Sequence, residues 1–394
     1  MHPHHQLGFA AVTALWGLLG LAVPSSVAAE PPAPPPYYAV QNVRVVSGDG
    51  AVLEGATVLL ADGLIEGVGS DLAVPPDARV IDGTDLVLYP GLIDGLTARG
   101  LAPAADEGEG ARSGGSPFGG GSISRGPEDR PATTPWVSAA EELSADAFGA
   151  DGTVSKWRSA GFTAAVVSPE KGIFAGQAAM VGLGRVERDD ETVEDLVIAT
   201  PVAHRLTFES AGGFRSFPGS LMGVFAYVKQ VLEDARHALR AEAVYAADPT
   251  GRERPQFDRA LVPLGRALAE SEPFLMPGNL PREIDRVVAL AREYSLRVVL
   301  YGGQGAYARA EELAAAGIPV IVDLDWPEAK KDRDPEADTP FPTLYHRRMA
   351  PSTPARLAEA GVRFVFSSGG LASAAEVMEA VRRAVDAGLP EERA

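Results

Sequence analysis

The stretch Tyr89-Pro90-Gly91-Leu92-Ile93-Asp94-Gly95-Leu96-Thr97-Ala98 divides the sequence into two kinds of pattern. The residues before it read as short β-strands. Those after it alternate strand and helix, the signature of a parallel sheet joined by crossover helices. Leu86, Val87, Leu88, Leu92 and Ile93 are expected to form one buried strand, bent at Pro90-Gly91, with Asp94 where that strand ends.

Towards the N-terminus, Tyr37 to Leu88 carries the strands of a small β module. Ala56-Thr57-Val58-Leu59-Leu60 and the run holding Leu64, Ile65 and Val68 flank Asp62-Gly63, a hairpin dipeptide. Residues 30–36 form a Pro-rich tether without core potential. Residues 1–29 read as an export signal: Leu7 to Val23 is apolar and uncharged, and Val27-Ala28-Ala29 places small residues before Glu30. An uncleaved anchor is the alternative, since about 17 apolar residues lies at the lower limit for spanning a bilayer. The expected location is periplasmic or extracellular, with no stable membrane span after cleavage.

Towards the C-terminus, residues 101–136 fall into Gly, Ser, Pro, Asp and Glu, including Gly119-Gly120-Gly121-Ser122, and are expected to form a mobile insertion. Strands are then expected at Phe162 to Val167, Gly172 to Leu183, Leu196 to Phe208, Phe274 to Met276, Arg297 to Leu300, Ile318 to Val322 and Arg363 to Phe366. A long helix starts after Pro218-Gly219, with Ser220 as its cap and Val224, Val228, Val231 and Leu232 on one apolar stripe. A second helix is expected from about Phe257 to Leu268, and others near Pro281–Tyr294, Ala306–Ala316, Pro354–Ala360 and Ala372–Ala387. The count favours an α/β protein of the TIM-like (β/α)8 barrel type over an open doubly wound sheet.

With 394 residues, 46% of them hydrophobic, the chain can build one barrel and a small satellite domain. A net charge of −18 argues against a nucleic-acid partner. There is no cysteine, so neither a disulfide nor a lipid-modified thiol is available. Gly302-Gly303-Gln304-Gly305 lacks the spacing and the lysine of a phosphate-binding loop.

The opening stretch resembles the amidohydrolase superfamily, and within it the imidazolonepropionase-like branch. There the stretch reads Pro-Gly-Leu-Ile-Asp-Ala-His-Thr-His, and its two histidines bind the catalytic metal. This chain has Pro90, Gly91, Leu92, Ile93, Asp94 and Thr97 in common with it, and Leu96 and Ala98 in the histidine positions. Ser220-Leu221-Met222-Gly223 and Lys229-Gln230 are also similar to that branch. The resemblance runs from roughly Tyr38 to Leu389 and implies a barrel with a small β-sandwich completed by strands after the barrel. Because Ala394 comes directly after a helix, the sandwich is expected to be incomplete, as in a truncated chain.

The resemblance further implies hydrolysis of non-peptide C–N bonds with zinc or another divalent metal, which lowers the pKa of a bound water. The implied ligand positions at the later strands are Pro277 in Pro277-Gly278-Asn279, Gly302 after Tyr301, and Gly369 in Ser367-Ser368-Gly369-Gly370. None of Leu96, Ala98, Pro277, Gly302 and Gly369 offers a side-chain donor. No cofactor is therefore expected, and the barrel is expected to serve as a binding scaffold for a small molecule, a second copy or an active homologue.

Catalytic candidates for a site of another kind are Asp94, His204, Asp323 and Asp325. Of the six histidines, three precede residue 30, His237 falls on the solvated face of the long helix and His346 in an Arg-rich loop. Asp323-x-Asp325 comes after a strand, and its carboxylates either hold a proton or a hard cation, or cap a loop and pair with Lys330 and Lys331. Binding residues expected at the barrel mouth are Thr97, Asn279, Tyr301, Gln304, Ser367 and Ser368. No nucleophile elbow surrounds Ser367-Ser368.

Overall fold

The computed structural model describes residues 37–48, 50–61, 63–102, 130–186, 192–209, 217–329 and 338–394. The export signal, the tether, the body of the insertion, and Lys330 and Lys331 lie outside the described residues. The chain divides into two units between Tyr89 and Pro90.

In the first unit, β1 (Tyr37–Val46), β2 (Val52–Ala61), β3 (Leu64–Gly69), β4 (Arg79–Asp82) and β5 (Val87–Leu88) form one sheet. β1 pairs antiparallel with β2 and parallel with both β4 and β5. Period-two burial puts Val43, Val45, Ala56 and Val58 in a shared core. The expected hairpin is present: β2 and β3 pair antiparallel, and Gly63 takes a φ of +75° in the turn. Gly83 is needed for close approach, since a Cβ there would lie 2.6 Å from that of Val43.

The second unit is a barrel wall of eight strands in sequence order: β6 (Leu92–Thr97), β7 (Phe162–Val167), β8 (Phe174–Gly182), β9 (Val197–Leu206), β10 (Phe274–Pro277), β11 (Val298–Gly302), β12 (Val320–Asp323) and β13 (Phe364–Ser367). Two expectations fail here. The run from Leu86 to Ile93 is not one strand: β5 and β6 belong to different units, Leu92 and Ile93 are 42% and 58% exposed, and the buried part of β6 is Asp94 to Thr97. The wall is also not wholly parallel. β8 pairs antiparallel with both β7 and β9, so β7, β8 and β9 form a meander, with no α-helix among the described residues that join them. The short turn from Ser168 to Ile173 leaves no room for a helix, and so reverses the chain.

The helices are α1 (Ala145–Phe148), α2 (Ser155–Ser159), α3 (Leu221–Ala247), α4 (Leu261–Glu270), α5 (Pro281–Tyr294), α6 (Ala310–Ala316), α7 (Phe341–Met349), α8 (Thr353–Glu359) and α9 (Ala374–Asp386). Ser220 caps α3, its hydroxyl accepting the Gly223 N–H at 3.2 Å. Val224, Val228, Val231 and Leu232 are buried on that helix, and His237 is exposed. His346 lies on α7 rather than in a loop; α7 is a short helix that buries no residue, its apolar Phe341, Leu344 and Tyr345 being exposed. The C-terminal end of the expected insertion is packed rather than free: Ala132, Thr133 and Thr134 are buried, and Thr133 bridges to Phe174 of β8.

Inside the wall, Leu96, Val166, Ala178, Ala203, Leu275, Val299, Tyr301 and Ile321 pack on one another. They come from every strand from β6 to β12, so this cluster fills the lumen. The larger core lies on the other wall face, where Phe274, Met276, Leu300, Val320 and Val322 meet the helices. Among the described residues no helix is long and apolar enough to cross a membrane.

Candidate functional site

β6 and β13, the two edge strands of the eight-strand sheet, approach each other and nearly close the wall. Gly95 makes that closure close: a Cβ at residue 95 would lie 2.6 Å from the Phe366 carbonyl oxygen and 2.7 Å from Val365 Cγ2. Across this seam the buried Asp94 carboxylate accepts the Ser368 N–H at 3.0 Å and a short hydrogen bond from the Ser368 hydroxyl. Arg99 donates to Ser368 Oγ at 2.6 Å, to Thr97 Oγ1 at 3.2 Å and to the Leu371 carbonyl at 2.5 Å. Its guanidinium lies 4.0 Å from the Trp157 ring centroid on α2. Burial raises the Asp94 carboxyl above the usual carboxylate range, against the lowering effect of its donors from Ser368 and Leu96. Asp94, Thr97 and Ser368 are thus brought together, with their hydrogen-bonding capacity turned to closing the barrel.

A second group sits past β12 and β13. Asp323 Oδ1 accepts the Asp325 N–H at 3.1 Å, and Gln304 Nε2 donates to the Asp325 carbonyl at 2.5 Å. Thr353 Oγ1 holds the Gln304 carbonyl at 2.8 Å. The Asp323 carboxyl is pushed up to about 6, chiefly by burial, with the charges of Asp325 and Asp94 adding to it. Gly369 has φ +47°, and a Cβ on it would lie 1.6 Å from Asp323 Oδ1. The Asp323 carboxylate therefore occupies the space a side chain at 369 would need. Gly302 repeats the arrangement: φ is +86°, and a Cβ there would lie 2.3 Å from Asn279 Oδ1. Ser367 is buried beside Asp323 in the β12–β13 register.

His204 does not join either group. It is 2% exposed, its ring stands 5.5 Å from Phe274, and its Nε2 meets Glu272 at 2.5 Å. Burial lowers its pKa against the opposing pull of Glu272. A neutral ring with the proton on Nε2 satisfies this contact and leaves Nδ1 without a hydrogen-bond partner. Phe274 belongs to the helix-facing core, so His204 points away from the lumen.

The alternation of a strand puts the next residue on the opposite face. Arg205 lies 4.8 Å over the Tyr301 ring, and the Tyr301 hydroxyl donates to the Leu206 carbonyl at 3.0 Å. Arg205 is 9% exposed, and neither Nε nor Nη1 has a hydrogen-bond partner. Burial raises the Tyr301 hydroxyl pKa, and the nearby Arg205 charge opposes the rise. Sequence reading passed over Arg205 for its neighbour His204; the signal available was a charged residue at the end of an otherwise apolar run, Val202-Ala203-His204-Arg205-Leu206.

A divalent metal does not fit these residues. Leu96 is packed in the lumen cluster, Gly302 and Gly369 have their side-chain space taken by Asn279 and Asp323, and a buried guanidinium stands in the lumen. Among the described residues no three His, Cys, Asp or Glu side chains converge as a metal site.

No family profile matches this sequence, and no curated protein matches it. Solved structures do. An amidohydrolase from Thermotoga maritima MSB8 is similar at 20% identity, over 90% of this chain and 85% of that one, with a TM-score of 0.67. A Xaa-Pro dipeptidase with bound methionine is 13% identical over 91% and 85%, with a TM-score of 0.46. A triazine hydrolase variant is 16% identical over 86% and 72%, with a TM-score of 0.41. The likeness to the Thermotoga maritima protein shows the fold: an eight-strand barrel sheet with a separate N-terminal sheet.

Proposed function

We propose that this chain is an exported barrel of the imidazolonepropionase-like type that binds a small molecule at its strand-end mouth and does not carry out metal-dependent hydrolysis. The observation that carries this reading is the filling of the implied ligand positions. Asn279 and Asp323 occupy the side-chain space at Gly302 and Gly369, while Leu96 is part of the apolar lumen. A metal-bound water, the nucleophile of the family reaction, needs several imidazole or carboxylate ligands on converging strands. Fold alone does not deliver that chemistry. The polar mouth around Arg205, Tyr301, Gln304 and Asp323 supports binding instead. A second copy or an active homologue is the partner class that would accompany such a lapsed barrel.

The test is elemental analysis of the purified full-length protein after incubation with zinc and exhaustive dialysis. The expected result is no stoichiometric metal. About one zinc or more per chain would overturn the reading and put hydrolysis first.

A further inference from the structure

We infer that the cleft between α6, α7 and α8, in the outer helix layer of the barrel, is a binding site for a small methylated ammonium ion, held by the rings of Tyr307 and Tyr345 and by the charges of Glu311 and Glu312. None of the lumen residues lines this cleft, so the site is separate from the strand-end mouth and independent of what binds there.

The cleft has a volume of about 760 Å³, ordinary for a small-molecule site. Part of its lining is aromatic. Tyr307, just before α6, has its ring centroid 6.2 Å from that of Tyr345 and 6.0 Å from that of His346, both on α7. The planes of Tyr307 and Tyr345 are turned by 68°, so the two rings form a corner rather than a stack. Phe341 extends the cluster, 5.9 Å from Tyr345. α7 buries none of its residues, and Phe341 and Tyr345 stay 75% and 46% exposed. Apolar rings left this open beside a cleft mark a binding surface. Burial raises the Tyr307 hydroxyl pKa and lowers that of His346, so both rings are neutral at pH 7 and neither repels a cation.

The rest of the lining sets the sign of the ligand. Glu311 and Glu312 come from the first turn of α6 and Glu359 from α8. Arg356, the guanidinium in the lining, donates to Glu359 at 3.1 Å and is neutralised by it. Arg309, whose charge Glu312 feels, is committed to both oxygens of Asp285, at 2.6 and 3.1 Å. Among the described residues Glu311 and Glu312 therefore have no ion pair of their own. A carboxylate in a first turn is favoured by the helix dipole alone, but the dipole explains neither the cleft nor its rings. Ring faces and unpaired carboxylates together attract a cation. A primary ammonium carries three N–H donors, which ring faces leave without strong acceptors. Methyl groups replace those donors and pack on the rings, while the two carboxylates attract the charge across water.

The test is titration of the full-length protein, carrying meta-fluorotyrosine, with choline chloride at constant ionic strength, read by fluorine NMR. Tyr307→Phe and Tyr345→Phe assign the two resonances. The comparisons are the neutral alcohol in which tert-butyl replaces trimethylammonium, ethanolamine, and phosphocholine, which carries the chemistry of a lipid headgroup. The Tyr307 and Tyr345 signals are expected to shift together and saturably with choline, with a Kd of about 1 mM or below. The alcohol and ethanolamine leave both in place, and phosphocholine binds more weakly because its phosphate meets Glu311 and Glu312. Tyr345→Ala, at an exposed position, is expected to weaken choline binding at the Tyr307 signal by about two- to fivefold, while Tyr345→Phe retains it. Glu311→Gln combined with Glu312→Gln, both exposed, weakens binding by a similar factor at low salt and by less at high salt. No saturable shift, an equal response to the neutral alcohol or to phosphocholine, or full affinity in Tyr345→Ala would overturn the site. Zinc content is measured separately and bears on the mouth alone, so either reading can fail without the other.

Discussion

Asp323 shows how one side chain can both fill a site and strain it. Its carboxyl is held near 6 by burial first and by Asp325 and Asp94 second, whereas in the unfolded chain it titrates near 3.8. The folded state then binds the proton more tightly than the unfolded one. This group's contribution is therefore most favourable below pH 3.8, declines as pH rises to about 6, and is level above that. The shift corresponds to at most about 3 kcal/mol. Asp323→Asn retains Oδ1 for the Asp325 N–H and removes the charge. It is expected to be more stable than the native protein at pH 8, by about 1–3 kcal/mol, and indistinguishable at pH 3.5. Urea unfolding at the two pH values checks this, and an equal gain at both would refute it. Asp323 was legible in the sequence as a strand-end carboxylate. Its consequence for Gly369 was not, because a glycine's neighbours are set by the fold and not by spacing.

At the scale of elements, the seam between β6 and β13 depends on Gly95 rather than on its apolar neighbours. Gly95→Ala places a methyl group against the Phe366 carbonyl and Val365, so β6 must move outward. The expected cost is about 1–3 kcal/mol, measured by chemical unfolding, with faster exchange of the Ser368 amide that Asp94 holds. Unchanged stability and exchange would show that the seam tolerates separation. The strand bounds and α5 were legible because apolar runs with Gly and Pro punctuation leave few readings; α5 spans the expected Pro281–Tyr294. The meander was not, because the apolar run in β8 reads alike in either direction and only the shortness of the Ser168 to Ile173 turn decides. Arg205 was missed for a related reason. A charged residue in a strand is ordinarily read as facing solvent, and here its face is the lumen.

At the scale of the whole molecule, the barrel is held by its apolar layers and the Asp94–Ser368–Arg99 closure, with no step of folding assigned to a metal. A ligand that binds only the folded state stabilises it by RT ln(1 + [L]/Kd) and so raises the melting temperature. Zinc or EDTA at millimolar concentration is accordingly expected to leave the thermal midpoint within about 1 °C of its value in buffer; a rise of several degrees with zinc would contradict it. The same packing limits the order in which substitutions at the mouth could succeed. An aspartate introduced at 369 would meet the Asp323 carboxylate on a left-handed backbone, so the path to a liganding side chain there runs first through residue 323. Placing metal-liganding side chains at 302 and 369 is thus a problem of sequence order: each single change is blocked by the neighbour that occupies its space, Asn279 or Asp323, and only paired changes open the route.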